Sequence, residues 1–305
     1  MLSTGVDMYS GRREVRAGGE IFSVRAFDEV VALDASYRVL RADARQGSGR
    51  GREVRLARLD VFRGGVCADR RRAELKAEAR LHGEVAGLPR VVFRFEERDT
   101  FTFVTAVPPG VALTELYGRP PLPGRALVAV LRGFALVGRT LEGLHRTGRA
   151  HRALRPEVLF ASRDRMWLRD AGLAAAPPEA GEGVDAYRAP EQRRAAAGPA
   201  TGVHQVAGPA IGVHQVAGPA IGVHQVAGPA IGVHQAAGPA IDVHQLAAIA
   251  YHLVTGEAPG ADPLPVTLLR PEWGRLDEIL AAALHPDPRR RPALGDLTAA
   301  LGRAA

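Results

Sequence analysis

The chain has 305 residues, 46% of them hydrophobic and 24% charged, with a formal net charge of +7. This length allows a large domain with a sizeable core. The positive charge does not predict a nucleic-acid partner, because the arginines are scattered and aromatic residues make up only 5% of the chain. The single cysteine, Cys67, excludes an internal disulfide framework and favours a reducing, cytoplasmic location.

The sequence predicts neither a membrane segment nor a signal peptide. A spanning helix needs about 18 or more apolar residues in a row, and the nearest candidate, residues 126–141, is interrupted by Arg132 and Arg139. The N-terminus has no basic region followed by an apolar core. We therefore expect no membrane partner, and we expect residues 1–25 to form a loose leader.

Residues 26–107 have the pattern of a small β-rich unit. Turn-prone segments separate short runs of β-branched and aromatic residues, which predict strands at Phe27–Val31, Tyr37–Arg41, Val54–Leu59, Val91–Phe95 and Phe101–Val107. Arg70–Val85 predicts a helix, and residues 47–51 predict a flexible hairpin loop. Pro108-Pro109-Gly110 marks a hinge at the end of this unit.

Residues 108–305 are predicted to be mainly helical. Apolar residues at helical spacing predict helices at Ala126–Arg146, Val243–Val254, Leu276–Leu284 and Leu294–Leu301.

A ten-residue repeat interrupts this second half over residues 196–241. Val-His-Gln recurs at 203, 213, 223, 233 and 243, and only the last copy is preceded by Asp, at Asp242. The evenly spaced histidines allow a metal site, but zinc ligands usually come in closely spaced pairs. A tandem-duplicated surface loop is the favoured interpretation, and the Gly-Pro in each unit predicts that no continuous helix crosses it.

One segment indicates the fold most clearly. Residues 151–160 are His-Arg-Ala-Leu-Arg-Pro-Glu-Val-Leu-Phe, which resembles the catalytic loop of Ser/Thr protein kinases, His-Arg-Asp-Leu-Lys-Pro-Glu-Asn-Val-Leu. Other segments match further landmarks of that family in the family's order: Glu78–Leu81, Leu144–Gly148, Trp167–Ala174, Tyr187–Glu191, Asp242–Leu246 and Asp287–Pro292. The resemblance implies an α+β fold of bacterial kinase type with two lobes, a β-rich N-lobe over 26–107 and a helical C-lobe over 108–305.

The catalytic loop keeps its framework and loses its chemical groups. Ala153 stands in place of the Asp that accepts the substrate proton, and Val158 in place of the Asn that holds magnesium. A methyl group cannot accept a proton, and an isopropyl group cannot ligate a hard cation. Arg152 and Arg155 remain as candidate catalytic-loop cations. In many kinases the counterpart of Arg152 clamps a phosphorylated residue, yet residues 173–188 contain no Ser or Thr.

The nucleotide-binding positions are also altered. Residues 51–60 align without gaps with the family's Gly-Arg-x-Val-Ala-Leu-Lys-x-Leu-Asp, so Ala57 replaces the Lys that grips the phosphates and pairs with Glu78. Arg58 is expected to point to the opposite side of the strand. The resemblance places Thr105 and Val107 against a nucleotide.

The phosphate-binding glycines of the family fall on Ala32, Asp34 and Tyr37 in the favoured register. The alternative, Gly47-Ser48-Gly49, leaves no room for the strand that should follow the loop.

The remaining landmarks imply structural roles. Asp170 is the surviving magnesium-ligand position, and Ala171 replaces a Phe, which predicts a gap beneath the regulatory helix. The resemblance further implies that Gly172 permits the turn, that Asp242 accepts hydrogen bonds from the catalytic-loop backbone beside His151, and that Glu191 pairs with Arg291.

The favoured hypothesis is a catalytically inactive pseudokinase that acts by binding protein partners. Two alternatives stay open: a Ser/Thr kinase with weak or atypical activity, and a decaying paralogue without a role. No cofactor is expected, and ATP with magnesium would be the cofactors of any surviving nucleotide site.

Overall fold

The N-lobe is an antiparallel sheet with one helix packed on it. The structure, a computed structural model, describes residues 13–32, 35–47, 51–118, 120–162, 165–176, 181–196, 203–207 and 234–305. The elements of this lobe are β1 (Arg13–Ala17), β2 (Glu20–Ala32), β3 (Tyr37–Gln46), β4 (Arg52–Val61), α1 (Val66–Glu84), β5 (Val91–Glu96) and β6 (Thr100–Ala106), with β10 at Val203–Ala207. The sheet has the order β1-β2-β3-β4-β6-β5, and β10 pairs with β2.

Residues 13–25 differ from the expected loose leader. They form β1 and the first part of β2, and Val15 and Phe22 are buried in the lobe's core. The alternation of apolar and polar residues in Arg13–Ala17 is the strand signal that the prediction missed. Residues 1–12 lie outside the described residues.

The β3–β4 pairing places a set of functional candidates on one face of the sheet. Arg41 lies opposite Ala57, and Asp43 lies opposite Arg55. Because side chains alternate along a strand, residues two apart face the same side. Arg41, Asp43, Arg55 and Ala57 therefore form a block of four neighbouring positions, which faces the C-lobe.

The C-lobe is helical, as the sequence predicts, with a small sheet of order β7-β8-β9 beside the hinge. Its elements are β7 (Val111–Ala112), α2 (Leu113–Tyr117), α3 (Gly124–Arg146), β8 (Leu159–Ser162), β9 (Arg165–Leu168), α4 (Pro190–Ala196), α5 (His234–Thr255), α6 (Val266–Leu269), α7 (Asp277–Ala283) and α8 (Leu294–Ala304). Short 3₁₀ turns lie at Pro156–Val158, Asp185–Tyr187, Pro271–Leu276 and Pro288–Arg290.

The core of the C-lobe forms around α3 and α5. Phe134 and Leu141 of α3 and Leu246 and Ile249 of α5 are completely buried in one apolar cluster. This cluster is extensive enough to hold the loops between the helices in place, including the loop at 151–158.

The structure corrects the expectation that Gly-Pro would break every repeat unit. α5 begins at His234 and contains Pro239, so the last unit belongs to the helix. Residues 208–233, which hold the middle copies of the repeat, lie outside the described residues, as does Asp34 of the expected phosphate loop.

Within the described ranges, no helix is long and apolar enough to cross a membrane. The same residues contain no group of three or more His, Cys, Asp or Glu side chains arranged to hold a metal ion.

Candidate nucleotide and transfer site

The catalytic-loop segment is held by one buried carboxylate. Asp242 of α5 is fully buried and accepts hydrogen bonds from the backbone N–H groups of His151 (2.8 Å) and Arg152 (2.7 Å). Its Oδ2 also lies 2.8 Å from Nε2 of His145 at the end of α3. Arg152 has a φ of 57°, a left-handed conformation that costs energy for a non-glycine residue. The bonds to Asp242 stabilise this strained loop.

The structure places the two substituted catalytic-loop residues in different surroundings. Val158 is completely buried in the C-lobe core, and its side chain has no oxygen with which to bind a cation. Ala153 is 7% exposed and lines the cleft between the lobes with its methyl group. Arg155 also lines this cleft, and its Nε lies 3.8 Å from Oε2 of Glu157.

Asp170 makes contacts within its own turn. Its Oδ1 accepts a hydrogen bond from the N–H of Gly172 at 3.0 Å and lies 3.4 Å from Nε2 of buried His151. Although burial raises the pKa of Asp170, His151 and then Arg169 and Arg55 outweigh it and hold the pKa well below the usual range. Gly172 has a φ of 62°, and a Cβ there would lie 2.4 Å from Nδ1 of His151. The turn thus requires glycine.

Ala171 lies beneath the end of the regulatory helix α1. It is completely buried and packs in a cluster with Leu81 and Val85 at the end of α1 and with Leu144 of α3. Apolar side chains therefore make the contact between the lobes at this position, and the gap expected from the missing Phe stays a prediction.

A cation from the neighbouring strand occupies the place of the missing lysine. Glu78 of α1, 3% exposed, receives two hydrogen bonds from the guanidinium of Arg41, at 2.7 and 2.6 Å. Arg41 is the cross-strand neighbour of Ala57, so its side chain reaches the carboxylate that a lysine at 57 would have reached. Sequence reasoning missed Arg41 because strand pairing, not linear spacing, brings it to Glu78.

A carboxylate between two further arginines bridges the lobes. Arg55, where the aligned family strand has Ala, donates to Asp43 Oδ1 at 3.1 Å. Arg169, which follows β9 in the C-lobe, donates to Asp43 Oδ2 at 3.4 Å, and its guanidinium carbon lies 5.8 Å from the centre of the Phe160 ring. Both arginine side chains are nearly buried, at 11% and 12% exposure. Burial, and next the charge of Arg169, lower the pKa of Arg55.

This bridge occupies the side of the cleft next to the hinge. Arg55 pairs across the sheet with Thr105, one of the two predicted nucleotide-contacting residues. A cavity between the lobes beside Ala153 and Asp170 has a volume of about 140 Å³, and its described wall includes neither Thr105 nor Val107. Sites for cofactors usually measure about 300 Å³ or more. The cleft residues therefore do not fit a complete adenine nucleotide, and Val158 does not fit a magnesium ion.

Arg152 has partners without any phosphorylated residue. Its Nη2 donates to the carbonyls of Leu173 and Ala176, both at 2.6 Å, and its Nη1 lies 3.7 Å from Oε2 of Glu182. Among the described residues of the activation segment, Glu182 is the anion that lies nearest to Arg152. The segment is attached to the catalytic loop without a modification step.

Replacing Arg152 with Ala is expected to release the activation segment. Two charged hydrogen bonds are lost, and bonds of this kind contribute about 1.5–3 kcal/mol each. Trypsin should then cleave after Arg188 at least about tenfold faster than in the unmodified protein, because cleavage of a folded chain follows local opening. Arg149→Ala, at an exposed position before the same loop, is the matched control. Equal cleavage rates in both variants would contradict the role of Arg152.

The end of the activation segment is attached to the last helices. Glu191 of α4 receives two hydrogen bonds from Arg291, at 2.6 and 2.8 Å, and Arg291 also donates to the Ala240 carbonyl at 2.9 Å. Gln245 adds bonds to the Leu154 N–H (2.9 Å) and to the Arg152 carbonyl (2.9 Å). Hydrogen bonds and an ion pair therefore join the catalytic loop to α5 and the end of the activation segment to Arg291.

Comparison with known proteins gives the fold. Three crystal structures of the PknI kinase domain of Mycobacterium tuberculosis resemble the chain at 20% sequence identity. The first has a TM-score of 0.53 and covers 100% of both chains. The second has a TM-score of 0.52, with coverage of 100% of this chain and 99% of that one, and a double mutant has 0.52 with coverage of 95% and 97%. No protein-family model and no curated protein matches the sequence. The chain has the two-lobed protein kinase fold, as predicted.

Proposed function

We propose that the protein is a pseudokinase, a protein with the kinase fold that acts by binding other proteins and does not transfer phosphate. The observation that carries the proposal is the Arg55–Asp43–Arg169 bridge, which fills the cleft beside the hinge with the chain's own side chains. A nucleotide base entering this space would have to displace two nearly buried guanidinium groups from their shared carboxylate.

The transfer site supports the same proposal. A kinase accelerates its reaction by positioning ATP and magnesium and by accepting the substrate proton. Ala153 and Val158 supply neither function, and Asp170 is engaged by Gly172 and His151. The intact hydrogen bonds of Asp242 and the Glu191–Arg291 pair support a maintained binding scaffold over a decaying copy. The exposed Cys67 agrees with the cytoplasmic location expected from the sequence.

Thermal unfolding with ATP and magnesium tests the proposal. A ligand present at 100 times its Kd would contribute about 2.7 kcal/mol to the stability of the folded protein. Because we propose that the cleft does not bind the nucleotide, we expect millimolar ATP-magnesium to change the melting temperature by less than about 1 °C. Incubation with radiolabelled ATP and a general acceptor protein should show no phosphate incorporation above that of a boiled sample.

Asp170→Asn is the matched variant, because it keeps an oxygen to accept from Gly172 and loses the charge that a magnesium ion needs. We expect the unmodified protein and this variant to give the same results in both assays. A shift of several degrees, or phosphate incorporation, that disappears in Asp170→Asn would overturn the proposal in favour of an atypical kinase.

A further inference from the structure

A large cavity beside a buried polar group lies away from the cleft, on the C-lobe. It has a volume of about 580 Å³, within the range of ligand-binding sites, and lies between α4, the buried side of α5 and the loops before α6 and before the 288–290 turn. Four prolines form much of its wall: Pro190, Pro263, Pro286 and Pro288. Proline has no backbone N–H and a fixed φ, so these walls are rigid and poor in donors.

One buried group in the wall lacks a hydrogen-bond partner. His244 is 6% exposed, and its Nδ1 has no partner among the described residues. Burial, followed by the charges of Arg291 and Arg193, lowers the pKa of His244 to about 3, although a hydrogen bond with the Tyr187 backbone opposes the shift. The ring is therefore neutral at physiological pH. A neutral imidazole has one N–H donor and one acceptor nitrogen, and Nδ1 is left without a partner among the described residues.

The rim of the cavity carries cations that lack carboxylate partners. Arg193 and Arg194 of α4 are exposed, and within the described residues each makes one long bond, 3.3 Å, to a backbone carbonyl. Neither has a carboxylate within 4.0 Å in the described part of the chain. Arg188, a third cation of the wall, is already paired with Asp185, and Asp287 is the carboxylate of the wall. Excess positive charge therefore remains at the α4 side.

We infer that this cavity is a docking site for an acidic peptide segment of a partner protein. The carboxylates of the peptide pair with Arg193 and Arg194, and its backbone, with both N–H donors and carbonyl acceptors, meets the polar wall that includes the His244 ring. A phosphate ion would match the arginines but would leave most of a cavity of about 580 Å³ empty, whereas a peptide supplies carboxylates together with the volume to fill it. The proposal deepens the pseudokinase function, on which it rests, by naming the surface through which binding occurs.

Two neighbouring features fit a peptide partner. Leu264, 55% exposed, directly follows Pro263 of the wall, and Leu268 of α6 is 69% exposed. Exposed leucines beside a cavity offer apolar contacts for residues that flank the acidic segment. The chain's own decapeptide repeat, residues 196–241, contains no Asp or Glu and so cannot supply the carboxylates.

Fluorescence anisotropy with defined peptides tests the proposal. The probe is a labelled ten-residue peptide of alternating Glu and Ala, which has no hydroxyl group, so that its binding is independent of phosphate transfer and of ATP. We expect saturable binding at 0.15 M salt, where exposed charges more than about 8 Å apart are screened. The double variant Arg193→Glu/Arg194→Glu should weaken binding about tenfold or more, since two ion pairs become two repulsions.

Matched controls separate the site from general charge. Arg125→Glu/Arg149→Glu changes the net charge equally at two other exposed C-lobe positions and should change the affinity by less than about twofold. His244→Phe should weaken binding about threefold to tenfold through the loss of a polar group of the wall; if this variant does not fold, the arginine variants decide.

Equal losses in both arginine doubles would overturn the inference. So would equal binding of a peptide of alternating Gln and Ala, or of a ten-nucleotide oligothymidylate, which would indicate a general polyanion surface. These results would leave the nucleotide assays of the proposed function unaffected, so that failure of either proposal is recognised separately.

Discussion

Asp242→Ala is expected to destabilise the protein by about 3 kcal/mol or more, since the variant leaves buried donors without an acceptor. The carboxylate accepts from two backbone N–H groups and contacts a third donor group, all at 2.7–2.8 Å. No neighbouring side chain can replace it, because Asp242 is completely buried. The left-handed conformation of Arg152 would also lose its support. At about 2–4 °C per kcal/mol for a chain of this size, the melting temperature should fall by about 6–12 °C.

Differential scanning calorimetry measures this effect directly. Asp262→Ala removes the same group at an exposed position of the same lobe and should change the melting temperature by less than about 2 °C. If Asp242→Ala melted with the control, the catalytic loop would be held by other contacts, and Asp242 would not be the structural centre that we describe.

The fold could be predicted because its landmarks are tied to backbone geometry. Gly172 must adopt a positive φ, Asp242 must reach two N–H groups, and Arg291 must reach Glu191. Each of these requirements fixes a residue type at a fixed order in the chain. Residues that perform such tasks remain recognisable even where the rest of the sequence is dominated by Ala, Arg and Gly.

The content of the cleft was harder to predict, because it depends on which strands pair. The alignment assigns Ala57 to the position of the family's lysine, and Arg58 does point away, pairing with Asp60 at 2.6 Å. It gave no indication that Arg41 would reach Glu78 from the adjacent strand. The packing of both strands decides the register between β3 and β4, and this register cannot be read from the spacing of residues along the chain.

The bridge between the lobes shows the same limit. Arg55, Asp43 and Arg169 are separated by 12 and 126 positions along the chain, and each alone has the pattern of an ordinary surface charge. In the structure, one carboxylate lies between two guanidinium groups. Composition bias toward arginine also concealed them, because 40 of the residues are Lys or Arg.

Loss of the Arg41–Glu78 pair should have the second large effect, and a double-mutant cycle separates the pair from its surroundings. Arg41→Met leaves Glu78, with a side chain 4% exposed, as a buried carboxylate without its bidentate partner. Breaking a buried pair on one side costs about 3 kcal/mol or more. Replacing both members, Arg41→Met/Glu78→Met, should return the free energy of unfolding to within about 1 kcal/mol of the unmodified protein, since apolar residues of similar size can fill the same space. Urea unfolding supplies all four values.

An exposed pair on the same sheet is the control for this cycle. Arg25 and Glu53 lie 2.8 Å apart with side chains 57% and 58% exposed, and their coupling should stay below about 1 kcal/mol. Coupling of about 2 kcal/mol or more between residues 41 and 78 would establish that the arginine on β3 stabilises the regulatory helix in place of the absent lysine. Additive costs in both cycles would contradict this, and α1 would then be held by the apolar contacts of Leu75 and Ala79 alone. Because the pair joins the sheet to α1 without nucleotide, a large coupling would also explain how this kinase fold keeps its N-lobe ordered when the cleft is filled by its own side chains.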